Sequence, residues 1–268
     1  MVSQIQTQVT KRSCKKRKGN RTLMNEDPHY CQKILALLAK RAALATIGEV
    51  IQVMQELDNL LLTSDGLKWF NLLYLRVTQA VYEKPPAGGW GDQEWLTQLD
   101  ITFAQLYFDA LASSCIDPTK VPRAWMALFE SRDNPGIERV QFALAGINAH
   151  INHDLPLAAV QAGKDLQIPP DRNSREYSDF DKVNSLLNEV MPETLKVLAT
   201  GTLGELTQDT GTIGRLLAMW NVKTARDTAW TNAELLWELQ DLPSLSEDFM
   251  MVLDRLTGLA SRGLLTAV

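Results

Sequence analysis

No run of about eighteen apolar residues occurs in the 268-residue chain, so the sequence contains no candidate membrane-spanning helix. Its most apolar short stretch, Ile34 to Leu38, is soon interrupted by Lys40 and Arg41. Cysteine is sparse: Cys14, Cys31 and Cys115 are odd in number, far apart and form no CxxC pair. That pattern suits a reducing compartment, free thiols and a cytoplasmic protein. Cys115, near the end of an apolar segment, reads as a core residue rather than a nucleophile. There is no P-loop, GxGxxG, GxSxG, HExxH or DDxxD motif, and Gly201-Thr202-Leu203-Gly204 and Gly211-Thr212-Ile213-Gly214 are too plain to be phosphate loops. No segment alternates apolar and polar residues long enough for a strand, and no repeat of fixed period appears.

Charge is unevenly spread along the chain. Residues 1–22 hold Lys11, Arg12, Lys15, Lys16, Arg17, Lys18 and Arg21 without a single acid, while the remainder carries 20 Lys and Arg against 32 Asp and Glu, about −12. The acidic body argues against nucleic-acid or anionic-membrane binding, which the basic tail alone would support. Residues 1–23 read as a disordered basic tail. No apolar stretch follows the charges, so the tail does not look like a secretory signal; a transit peptide, or a start at Met24, stays open.

What remains is helical. Apolar residues recur every three or four positions from Tyr30 to about Leu62, with a break expected at Gly48. Further helices are expected over 67–82, 93–113, 123–130, 137–154, 178–198 with a kink at Pro192, 213–239 and 247–265. Residues 83–92, EKPPAGGWGD, are the clearest loop. Composition and length fit one all-α, bundle-like domain of about eight to ten helices over 24–268.

Two of only three histidines lie in Gly146-Ile147-Asn148-Ala149-His150-Ile151-Asn152-His153-Asp154-Leu155-Pro156. Residues three and four apart share a helix face, so His150, His153 and Asp154 are expected to converge. Imidazole and carboxylate bind metals or move protons near neutral pH. The segment has no Lys or Glu after Glu138, so it reads as a buried helix whose Asn148 and Asn152 are satisfied internally, and Gly146 permits close approach. Asp100, in the middle of an apolar arc of Leu96, Phe103, Ala104, Tyr107, Phe108 and Leu111, needs a partner and is the best further carboxylate. A second constellation joins Arg226, Trp230 and Trp237, with Asn184 beside Phe180, Val183 and Leu187; aromatic walls near an arginine suit an apolar or anionic ligand.

Leu106-Tyr107-Phe108-Asp109-Ala110-Leu111, Pro122-Arg123-Ala124-Trp125 and the run from Phe142 to Pro156 resemble a family of uncharacterised bacterial proteins, domain of unknown function 5995. The resemblance implies an all-α domain over most of residues 30–265 and supplies no activity. His153-Asp154 invites comparison with HD-domain phosphohydrolases, but the only other histidine is His29, and the match is poor.

Three functional readings follow. One is an enzyme in which His150 and His153, with Asp154, bind a divalent metal or act as acid/base groups, Asp100 being a ligand or a histidine orienter, for example a hydrolase with a metal-activated water. Another is a non-enzymatic binder of an apolar small molecule, walled by tryptophan. The third is a structural or interaction protein holding a buried His/Asn hydrogen-bond network. Substrate, metal identity and oligomeric state are not encoded in any recognisable pattern.

Overall fold

The computed structural model describes residues 27–198 and 221–266. The basic tail, the two Gly-Thr segments and residues 213–220 of the expected 213–239 helix lie outside the described residues. Within them the chain is helical, with no strand. The elements are α1 (Pro28–Leu38), a 3₁₀ turn (Arg41–Ala43), α2 (Ile47–Leu60), α3 (Leu67–Glu83), α4 (Gln93–Ile116), a 3₁₀ turn (Pro118–Lys120) and α5 (Arg123–Ser131). They continue with α6 (Arg139–Ala149), a π turn (His150–Asp154), α7 (Leu155–Leu166), α8 (Arg175–Leu198), α9 (Val222–Glu238) and α10 (Pro243–Leu264). Since α6, the π turn and α7 run on as one rod, the described residues form nine helices.

Local chemistry sets many of the boundaries. Asp27 caps α1 by accepting from the backbone N–H of His29 and Tyr30, with Pro28 at the first helical position. Thr46 and Glu49 form a reciprocal capping box that starts α2. The first helix therefore breaks at residues 39–46, ahead of the expected Gly48, because the Thr-x-x-Glu cap outweighs a glycine tolerated in a first turn. Asp92 caps α4 through Trp95 N–H at 2.9 Å. Helix α8 begins at Arg175 and continues through Pro192 to Leu198.

The 139–166 rod is the axis of the fold. Every residue from Val140 to Ala149 is buried. Helix α3 packs on α6, α4 and α9 on α7, α10 on α5 and α6, and α8 closes over α3. A buried ion pair ties the N-terminal helices to the turn after α5. Arg132 Nε donates to Asp65 Oδ1 at 2.8 Å, and Tyr30 Oη donates to Asp65 Oδ2 at 2.8 Å.

Gly146 brings α6 against α3. A Cβ there would sit 2.3 Å from Cγ of Phe70, a fully buried ring in the middle of the core. We expect Gly146→Ala to lose about 1–3 kcal/mol through forced repacking, read as a lower urea midpoint at unchanged slope. An unchanged midpoint would show that Phe70 can move aside freely.

Candidate functional site

The rod changes pitch at the histidines. Leu155 N–H bonds to the His150 carbonyl, five residues back, and residues 150–154 form one π turn. Pro156 supplies the reason. It has no N–H, and its ring would collide with the carbonyl of Asn152 in a regular helix; the wider turn relieves that collision without breaking the rod. The expected end of the helix at Asp154 is thus replaced by a bulge.

The bulge gathers three N–H donors on one carboxylate. Asp154 Oδ2 lies 2.9 Å from His150 Nδ1 and accepts from Trp125 Nε1 at 3.0 Å, while Oδ1 lies 2.7 Å from His153 Nδ1. Asp154 is 1 % exposed. Burial alone would raise its carboxyl, but the hydrogen bonds and charge from both imidazoles prevail and hold it below the usual carboxylate range. As an ionised acceptor it assigns the proton to Nδ1 of each ring, which leaves both Nε2 atoms facing elsewhere.

The two rings then differ. His153 pays a burial penalty on its charged form, but Asp154 and the charge of Asp254 outweigh it and raise its pKa. Its Nε2 is 3.7 Å from Asp254 Oδ1, and the same oxygen accepts from Ala124 N–H at 2.9 Å, joining α10 to the start of α5. His150 is 3 % exposed and wrapped in aromatic rings. It stacks on Phe103, with centroids 3.4 Å apart and planes 6° apart, and meets Tyr74 nearly edge-on at 4.4 Å. Phe70, Tyr107 and Trp125 complete the enclosure. Here burial prevails over Asp154 and lowers the pKa, so His150 is a neutral imidazole with its Nε2 lone pair available.

That Nε2 is buried without a protein partner. His150 lines a cavity of about 50 Å³ with Phe70, Phe103, Leu187, Met191 and Arg226. An adjoining cavity of about 60 Å³ shares Tyr74, Val77, Phe103 and Arg226 and is lined also by Thr78 and Asp100. Tyr74 Oη, Thr78 Oγ1 and Asp100 Oδ2 are likewise buried with no partner in hydrogen-bonding geometry. Burial pushes the Asp100 carboxyl up to about 7. Arg226 is 6 % exposed; Nε donates to Asn184 Oδ1 at 2.9 Å and Nη2 to the Phe180 carbonyl at 2.7 Å. Burial pushes its guanidinium down to about 10, opposed by the charge of Asp181, so it remains a cation at neutral pH. No described carboxylate forms an ion pair with it within 4.0 Å.

The sequence-derived residues thus fall into three places. His150, Asp100 and Arg226 line the paired cavities, with Asn184 behind Arg226. Asn148 donates to the Thr257 carbonyl and to Ser261 Oγ and accepts from Asn152, which fastens the rod to α10. Trp230 is packed against Trp95, Tyr177 and Phe180, and its Nε1 donates to Glu234. Among the described residues no group of three or more His, Cys, Asp and Glu is placed to share a metal ion. Trp125, Tyr74, Thr78 and Asp254 were not singled out as site residues from the sequence. Trp125 stood in the PRAW string; nothing in the local pattern marks the other three.

The chain belongs to a family described as "Family of unknown function (DUF5995)", whose model matches residues 47–267 and so takes in every residue of this site. No curated protein and no solved structure matches the chain.

Two titrations test the site. In His150→Phe and His153→Phe difference spectra by NMR, the His153 resonance is expected to titrate above the ordinary 6.5 and that of His150 below it. His153 thus contributes stability that is present below about 6.5 and lost as pH rises through its folded value; His150 opposes folding as pH falls below about 6.5. In Asp154→Asn both resonances should move to lower pH, and a His153 that titrates as in wild type would contradict the role given to that carboxylate. Asp100 has the opposite sign to an ion-paired acid: its protonation favours the folded state at low pH, an advantage lost between about 4 and 7. The thermal midpoint of wild type should fall relative to Asp100→Asn over that window and run parallel above it.

Proposed function

We propose that this protein binds a small apolar organic acid inside the helical bundle. The Arg226 guanidinium seats the acid's carboxyl group, whose O–H in the protonated acid donates to His150 Nε2. Phe103, Leu187, Met191 and Val77 receive the hydrocarbon part, and Asp100, Thr78 and Tyr74 meet a polar group at its far end.

One observation carries this reading: the buried, unpartnered Nε2 of His150, oriented by Asp154, faces a cavity that it shares with a buried guanidinium bonded only to neutral oxygens. A buried acceptor without a partner costs about 1–3 kcal/mol, and a buried cation more. An acid offers hydrogen bonds and opposite charge to Arg226 and, when protonated, a donor to His150. Cavities of about 50 and 60 Å³ suit a ligand of few non-hydrogen atoms.

Asp154 acts by positioning His150, and Asn184 by holding Arg226. Asn148, Asn152 and Trp230 support the surrounding packing. The metal-dependent hydrolase draws support from Asp154, since a carboxylate on Nδ1 commonly orients metal-ligating histidines. The separate surroundings of the two Nε2 atoms favour the metal-free site. Proton transfer at that same site is a second reading, favoured by the Asp154–His150 pair, which has the geometry of an oriented general base.

Calorimetric titration with short straight and branched carboxylic acids, beside their amides, tests the proposal. Acids should bind in preference to amides, and Arg226→Met and His150→Phe should each weaken binding about 10- to 100-fold. Folded variants that bind as wild type does, or a panel with no binder, would overturn it. Deuterium uptake at the α-carbon of a bound acid would select proton transfer over simple binding.

A further inference from the structure

Two of the three cysteines, 84 residues apart in sequence, meet in the fold. Cys31 Sγ on α1 lies 2.6 Å from Cys115 Sγ at the end of α4. No disulfide joins them in this structure; Cys31 is buried and Cys115 half-buried. Their sulfurs are about 0.5 Å farther apart than a disulfide bond of about 2.05 Å, a displacement that a small side-chain rotation covers. No third His, Cys, Asp or Glu among the described residues joins them to make a metal site. Burial, with Cys31 close by, pushes the Cys115 thiol up to about 12, which removes it as a nucleophile toward outside substrates.

The geometry points to a Cys31–Cys115 disulfide as a covalent modification site of this chain. Its oxidant is a small-molecule or protein disulfide. A thiolate of one cysteine attacks the oxidant, releasing one thiol and leaving a mixed disulfide. The second cysteine then attacks the protein sulfur of that bond and expels the second thiol. Two S–H bonds of the protein are lost, one S–S bond forms, and the oxidant takes up both electrons and both protons. Burial places this exchange before α1 has docked and shields the bond afterwards.

The position of the link gives it a task. Helix α1 lies ahead of residues 47–267, the part matched by the family. It carries Tyr30, which bonds the buried Asp65, and packs on α4, which carries Phe103 and Asp100. The bond fastens this helix to the C-terminal end of α4, whose earlier turns carry Phe103 and Asp100. It also qualifies the reading of the cysteines as free thiols: spacing in sequence did not reveal that two of them face each other.

The test uses the full-length protein, refolded or equilibrated with oxidised and reduced glutathione, then denatured and alkylated. Under oxidising conditions intact mass should show one alkylated thiol, Cys14, and peptide mapping should show Cys31 joined to Cys115. After reduction all three thiols should be alkylated. Reduction should also lower the thermal midpoint by about 5–15 °C, as expected for a closed loop of this length, and should leave Cys31→Ser/Cys115→Ser unaffected. Three alkylated thiols in the oxidised sample, or a linked pair that includes Cys14, would overturn the assignment.

Discussion

A single buried carboxylate organises the centre of this molecule. Asp154 stands in the π turn of the longest rod and takes hydrogen bonds from His150, His153 and Trp125. Burying an unpaired carboxylate costs several kcal/mol, and only charge-assisted bonds of this kind offset it. The constraint propagates outward. Trp125 fixes α5, Asp254 beside His153 fixes α10, and the ring of His150 is held flat on Phe103 of α4. The bulge that points Asp154 inward follows from Pro156, and the close approach of α3 follows from Gly146.

The same carboxylate meets two imidazoles of unlike surroundings and thereby separates them. One has a second acid within reach and its pKa is raised; the other is enclosed by aromatic rings and its pKa is lowered. Asp154 holds a proton on Nδ1 of both rings, and His150 keeps a lone pair on Nε2 inside the bundle. The nearby cation, Arg226, is bonded to amide and backbone oxygens instead of a carboxylate. Base and cation line one cavity, and on that rests the proposal that the site takes a small acid.

Much of this was legible in the chain. Helical periodicity and the absence of alternating segments gave the all-α class, and the loop at 83–92 was readable from residue chemistry alone. The His150, His153 and Asp154 cluster stood out because histidine is rare here, and Asp100 because a carboxylate interrupts an apolar arc. A wheel drawn at the regular helical pitch cannot foresee a π turn, so it placed the three groups on one stripe of a buried helix without showing that both imidazoles bond to Asp154. Trp125 and Asp254 come from distant helices, and their part is decided by packing. Trp230 illustrates the converse: one turn from Arg226, it packs on Trp95 and Phe180, because a large ring near a helix centre finds its partners in the neighbouring layer.

The most direct test of the account is the protonation of the four imidazole nitrogens of His150 and His153 in the folded protein, read from ¹⁵N shifts in long-range ¹H–¹⁵N spectra at neutral pH. The account predicts that both rings carry a proton on Nδ1, facing Asp154, and that His150 has Nε2 at the shift of a free lone pair. A proton on Nε2 of His150, or a His153 that is neutral with Nδ1 bare, would contradict it, because Asp154 would then not be the acceptor around which the site is built.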